Sequence, residues 1–293
     1  MHKYLSFFLL TSVFAQTVSD YAYTGAEVSA MAGAVVAENG NNWSIFHNPA
    51  GIAEIDEIRY SAGGGKLYGF GWLPAYYLNG IFPITGIGKI GFALHQFETK
   101  YSGVVLSSEQ TISIAQGFNL QKDKNSHLAL GYTANFVQWD LGKSSGESGN
   151  GKDGLELGSV NSITIDFGVL ASLREKYRFG VFIKNISSGA LGKGMTRHVL
   201  PRRINTGITY MPTAGLSTSI VSEHILGRDD LQIKGAIRYN LNSYLELYVG
   251  AQSNPNRIGM GTTFTLKSQA ISYGLLTHPV LPMTHQFSIG ISL

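Results

Sequence analysis

His285-Gln286-Phe287-Ser288-Ile289-Gly290-Ile291-Ser292-Leu293 alternates without a break. Phe287, Ile289, Ile291 and Leu293 fall on one face of an extended chain, and Gln286, Ser288, Gly290 and Ser292 on the other, because side chains along a strand alternate with period two. A strand with one apolar face and one small or polar face has two homes. It closes the wall of a membrane barrel, or it is one strand of a soluble sandwich. How often the pattern recurs decides between them.

It recurs along most of the chain. Leu245, Leu247, Val249 and Ala251 oppose Glu246, Tyr248, Gly250 and Gln252; Ile258, Met260, Thr262, Phe264 and Leu266 oppose Gly259, Gly261, Thr263 and Thr265. The same holds for Leu231, Ile233, Ile237 and Tyr239, for Ile163, Ile165, Phe167 and Val169, and for Leu128, Leu130, Tyr132, Ala134 and Phe136. Strands are expected near 56–63, 68–84, 89–99, 108–119, 126–138, 161–171, 178–186, 203–211, 216–225, 231–240, 244–253, 256–266, 269–277 and 284–293. The stretch 216–225 (LSTSIVSEHI) alternates least well. If the first strand runs outward, the even-numbered connections, such as Thr85–Gly88, Pro212–Gly215 and Lys267–Ser268, are all short, while the two longest, Asp140–Asn161 and Ser187–Arg202, lie on the other side. Short periplasmic turns and long outer loops are the asymmetry of an outer-membrane barrel.

Composition agrees. Charged residues make up 14% of the chain, against about a quarter in soluble domains, yet mean hydropathy is only +0.05. No run approaches the ~18 apolar residues of a membrane helix, as expected when apolar residues sit at alternate positions of a barrel wall. Glycine (36), Phe (15) and Tyr (15) are abundant, and cysteine is absent, so neither a disulfide framework nor a thiolate metal site is available. The net charge of +3 is small and unclustered and gives no reason to expect a nucleic-acid partner. Residues 1–15 carry a short basic start, an apolar core at Leu5–Val13 and small residues before Gln16, which reads as a secretory signal cut after Ala15. The expected fold is therefore all-β, a transmembrane antiparallel β-barrel of about 14 strands over residues 56–293 in a bacterial outer membrane, surrounded by its lipid.

Enzyme patterns do not hold up. Gly86-Ile87-Gly88-Lys89-Ile90-Gly91 fits G-x-G-x-x-G but leads into a strand, so no helix N-terminus would receive a pyrophosphate. Gly142-Lys143-Ser144-Ser145-Gly146 fits G-x-S-x-G but lies in a Gly/Ser-rich loop without a strand-turn-helix elbow. The eight histidines show no helical metal spacing. No catalytic residue, metal or cofactor is expected. Five charges fall on inward faces: Asp166, Lys184, Lys234, Arg238 and Glu246. They form either a mutually satisfied network that pins an inserted segment or a polar lining that a substrate passes.

Residues 16–55 do not alternate. They hold an Ala-Met-Ala-Gly-Ala run (Ala30–Ala34), then Trp43 and Phe46, then Asn48-Pro49-Ala50-Gly51. With Asp166-Phe167-Gly168-Val169 and Phe182-Ile183-Lys184-Asn185 further on, this resembles the FadL and PorV/PorQ superfamily of outer-membrane barrels. The resemblance implies that residues 16–55 fold back into the lumen as a hatch that includes the Asn48–Gly51 turn. Read from the residues alone, that turn is an ordinary Pro-Gly turn. Gly131, Gly168, Gly180, Gly207, Gly250, Gly259 and Gly261 fall at inward positions and would leave room for a hatch. The resemblance also implies transport of small hydrophobic molecules by hatch-gated diffusion, with Trp43 and Phe46 contacting the ligand. The other function it implies is an accessory barrel of a type IX secretion system that binds cargo or secretion-machine proteins.

Overall fold

The computed structural model describes residue 21 and residues 23–38, 40–101, 103–144, 146–149, 152–192, 197–229 and 231–293. The expected signal segment, 1–15, lies outside the described residues. The wall strands are β1 (Arg59–Lys66), β2 (Pro74–Ile84), β3 (Gly88–Tyr101), β4 (Val104–Lys122), β5 (Ser126–Asp140), β6 (Ser159–Leu173), β7 (Tyr177–Lys184), β10 (Arg203–Thr213), β11 (Leu216–Ile225), β12 (Leu231–Asn240), β13 (Leu245–Gln252), β14 (Arg257–Leu266), β15 (Gln269–Leu276) and β16 (Thr284–Ser292). Each pairs antiparallel with its neighbour, and β1 pairs with β16 from Arg59↔Ser292 to Lys66↔His285, so the barrel is closed. Between β7 and β10 a two-stranded hairpin, β8 (Ala190–Leu191) and β9 (His198–Val199), stands apart from the wall.

The alternation read from the sequence is the alternation of the wall. On β16, Phe287 and Ile289 are exposed while Gln286 and Ser288 are buried toward the lumen. Ile258, Met260 and Phe264 on β14 and Ile233 and Ile237 on β12 likewise face outward. Each strand thereby presents hydrocarbon to lipid while its backbone groups are paired in the ladder, which is what a spanning sheet requires. The poorly alternating 216–225 is strand β11 with the same bounds, its Ser217, Ser219, Val221 and Glu223 all buried on the inner face.

Most strand bounds shift by one to four residues, and the first two strands differ in what replaces the expected strand. The first strand is 59–66 rather than 56–63, and the second starts at Pro74 rather than at 68. Upstream, Pro49–Glu54 is a 3-10 helix, so residues 56–58 are used in crossing from the lumen to the wall. Downstream, Tyr68 takes φ 53° and the Leu67 N–H donates to the Leu73 carbonyl at 3.0 Å, closing a loop where a strand was expected. The turns at one end are short: Arg174 and Glu175, both at positive φ (52° and 56°), supply the twist of a tight hairpin. At the other end β4, β5 and β6 are longer than β7 and β10, and the described residues 185–192 and 197–202 lie beside them. Leu191 and Leu200 there pack on the inward Val137.

Candidate functional site

The N-terminal segment is held against the inside of the wall. Helix α1 (Ala26–Ala30) packs on β13–β16, a single turn α2 (Ser44–His47) on β3, and the 3-10 helix Pro49–Glu54 on β3–β6. Val28, Met31, Val36, Trp43 and Ile45 are all buried. What makes the fit possible is a set of inward glycines in cross-strand register. Gly117, Gly131 and Gly168 form one ladder row, Gly180 pairs with Gly207, Gly250 with Gly259, and Gly261 with Gly274. A side chain at Gly131 would run into the backbone of Pro49 and Ala50, at Gly168 into Asn48, at Gly180 into Val36, and at Gly250 into Met31. Close approach of one backbone to another is what a glycine within a strand permits. The seven inward glycines foreseen from the sequence all face this segment; Gly91, Gly117 and Gly274, which also touch it, were missed.

The closing strand does a second job here. Gln286 donates to Tyr21 Oη (2.7 Å) and to the Tyr23 carbonyl (2.8 Å) and accepts from Tyr77 Oη (2.5 Å), while Ser288 Oγ accepts from the Ala26 N–H (2.9 Å). Its small and polar face is thus the binding face for the segment inside.

The Asn48–Gly51 turn is an anchor. Asn48 Nδ2 donates to the Val36 carbonyl (2.7 Å) and to the Val169 carbonyl on β6 (3.1 Å), and its Oδ1 accepts from the Ala50 N–H (3.2 Å), capping the 3-10 helix that Pro49 begins. Ala50 is fully buried against Ala129 and Leu170. Gly51 has no room for a side chain beside Ser44 Oγ. Asn48→Ala is expected to destabilise the segment by about 1–2 kcal/mol, the usual effect of losing a cap and a buried hydrogen bond. Faster amide exchange of residues 48–54, with wall strands unchanged, would register it.

Trp43 and Phe46 have different surroundings. Trp43 is 1% exposed. Its Nε1 donates to Glu27 Oε2 (2.7 Å) and its indole meets the Tyr77 ring edge-on at 5.0 Å. Gly25, at φ 112°, lies flat against the indole. Trp43 lines none of the cavities described below. Phe46 stands beside His95 at 5.6 Å and lines two internal cavities of about 50 and 30 Å³.

Of the five foreseen inward charges, Arg238 alone reaches an acid of the segment: its Nη2 is 3.2 Å from Glu38 Oε2, and Glu38 Oε1 accepts from Ser219 (2.9 Å) and Thr209 (3.4 Å). Lys234 pairs with Glu223 (2.8 Å), which also holds Arg203 (2.7 Å), and its ammonium sits over the Tyr23 ring at 5.5 Å. Asp166 accepts from the Asn185 N–H (2.7 Å) and from Asn135 (2.8 Å), so the Asp-x-Gly and Lys-Asn stretches meet in space. Glu246 accepts from Tyr248 Oη (2.6 Å). Lys184 has no ion-pair partner within 4 Å among the described residues and lines both internal cavities. Glu38, Glu223 and Arg203 went unnoticed. Glu223 sits in the least regular strand, and Glu38 in a segment without a period to orient it. At the short-turn end, Lys89 lies 2.5 Å from Asp56 and holds that carboxyl below the usual range through a charge-assisted hydrogen bond.

Above the segment, at the long-loop end, is a cleft of about 550 Å³. Tyr21, Tyr23, Leu67, Tyr68, Trp72 and Leu73 give it an aromatic and aliphatic wall, and Arg203, Arg228 and Arg257 add positive charge at its margin. Arg257 lies over the Tyr23 ring at 5.2 Å. Tyr21 lines this cleft and both internal cavities.

A closed fourteen-stranded barrel with an apolar outer surface and its own N-terminal segment packed inside defines a class of membrane β-barrel. No model of a known protein family matches the sequence. No curated protein matches it either. Among solved structures, the Ralstonia pickettii toluene transporter TbuX is 12% identical with a TM-score of 0.59, over 93% of this chain and 98% of that one. The monoaromatic hydrocarbon channel CymD is 12% identical with a TM-score of 0.60, over 92% and 96%. A FadL homologue from Pseudomonas aeruginosa is 11% identical with a TM-score of 0.52, over 92% and 98%. The fold is that of the FadL-type outer-membrane transporters.

Proposed function

We propose that this chain is an outer-membrane barrel that passes small hydrophobic molecules inward, and that residues 16–55 act as its hatch. The observation that carries the reading is the cleft at the long-loop end. It has the size of a small-molecule site and an aromatic and aliphatic wall with polar groups beside it. Its floor residue, Tyr21, also borders the cavities beneath, so a ligand seated there presses on the segment that fills the lumen. Phe46 is the next aromatic contact below. Trp43 supports the hatch from inside, through Glu27 and Tyr77, and the Asn48–Gly51 turn keeps its lower end on the wall while the upper end moves. The fold shared with transporters of toluene and other monoaromatic hydrocarbons agrees with this role.

Uptake of labelled toluene into vesicles with a lipopolysaccharide outer leaflet tests the proposal. Protein-dependent flux is expected, and flux no greater than in empty vesicles refutes it. Recovery of the barrel in a stable complex with a large secretion channel, without flux, would point to the accessory role.

A further inference from the structure

We infer that the outer cleft selects an aromatic carboxylate over the neutral hydrocarbon of the same shape, with the ring against the cleft's aromatic wall and the carboxylate met by Arg257. The inference rests on the transport reading above and names the substrate class for the cleft.

The phenol and indole rings of Tyr21, Tyr23, Tyr68 and Trp72 all line the cleft. Tyr21 and Tyr23 meet edge-on at 5.2 Å, and Trp72, stacked on Phe70 at 5.0 Å, is exposed, so flat apolar surface is open to a ring. The charge beside these rings is one-sided. The lining includes Arg203, Arg228 and Arg257 but, among the described residues, no Asp or Glu. Two of the guanidiniums are committed: Arg203 pairs with Glu223 at 2.7 Å, and Arg228 has a partner of its own. Glu223 also holds Lys234 at 2.8 Å, while Asp229, exposed in the loop after Arg228, does not line the cleft. Arg257 differs. It opens β14 on the inward side, opposite Gln252, and has no ion pair within 4 Å among the described residues. Its Nε is buried without a hydrogen-bond partner, and its guanidinium lies over the Tyr23 ring at 5.2 Å. Burial and then the Arg257 charge hold the imidazole of His278, which shares the cleft, below its ordinary range. A guanidinium presents a planar fork that matches a carboxylate, and it also stacks on aromatic faces. A neutral hydrocarbon would cover the Arg257 donors and offer no acceptor, which is costly for a charged group. An acid on an aromatic ring supplies both the flat face and the acceptor.

Equilibrium binding to the full barrel in detergent decides the matter, with uptake by empty micelles subtracted. The probes are labelled para-toluate, toluene and para-methylbenzylammonium, which share one ring and differ in charge, together with laurate. Para-toluate is expected to bind tightest and the ammonium weakest. Arg257→Gln should weaken para-toluate about tenfold or more, the usual effect of losing a charge-assisted hydrogen bond, with a much smaller effect on toluene. Arg257→Lys should keep part of the preference. A heat-modifiable gel shift establishes that each variant is a folded barrel. If toluene binds and para-toluate binds no tighter, or if Arg257→Gln weakens both equally, the inference fails and the transport reading stands. Tighter binding of laurate than of para-toluate overturns the selection of a ring. If no probe binds, the cleft is not the entry site and both proposals fail.

Discussion

Gly131→Val is expected to drive the N-terminal segment off the wall and convert a closed barrel into a conducting one. A Cβ at this position would occupy the space of the Pro49 carbonyl and the Ala50 nitrogen. Both are backbone atoms, so no rotamer change relieves the overlap. Overpacking commonly costs about 1–3 kcal/mol, and rigid backbone on both sides puts this case at or above the upper end. The wall itself should survive, because Gly131 stays paired with Gly117 and Gly168 and its inward side meets only the segment. Planar-bilayer recordings should show a large rise in conductance, protease should cut residues 40–58, and the gel shift on heating should persist. Gly235→Ala is the control: Gly235 faces away from the lumen, with only the Ser219 carbonyl nearby, at 3.9 Å. If Gly131→Val conducts no more than wild type and the segment stays protected, the glycine row does not hold it.

Glu38→Gln is the second large effect. The carboxylate is 1% exposed, pairs with Arg238 and accepts from Ser219 and Thr209, so it ties the segment to β10, β11 and β12 at once. Removing one partner of a buried pair costs about 3–5 kcal/mol. The Arg238 side chain keeps 27% exposure, so water offsets part of the loss and about 2–4 kcal/mol is expected. Amide exchange of residues 31–38 should accelerate far more than that of the wall strands. Combining Glu38→Gln with Arg238→Gln should recover part of the loss, since the second change removes the stranded guanidinium. An additive double mutant would show that the two side chains are not coupled.

The division between what could be read and what could not follows residue by residue. Period-two alternation placed Phe287, Ile289 and Ile291 outside and Gln286 and Ser288 inside, since lipid and lumen impose opposite demands on successive positions. The same period exposed seven of the glycines that receive the inner segment, and it oriented all five inward charges. It failed at residues 56–58 and 68–73, where the chain crosses to the wall or loops back. Both depend on contacts with distant strands. Trp43 and Phe46 read alike as aromatic residues in a segment without periodicity, yet one is sealed between Glu27 and Tyr77 and the other borders open space.

The sequence by itself determined the wall, its strand number, which faces meet lipid and which loops are long, because each of these is written locally in a repeating two-residue pattern. Only the tertiary structure decided which inward charges are answered. Arg238 finds Glu38 on the inner segment, Lys234 finds Glu223 on the next strand, and Lys184 has no ion pair within 4 Å among the described residues. Pairing across a closed barrel joins residues up to two hundred positions apart, and it depends on the path of a segment that carries no periodicity of its own.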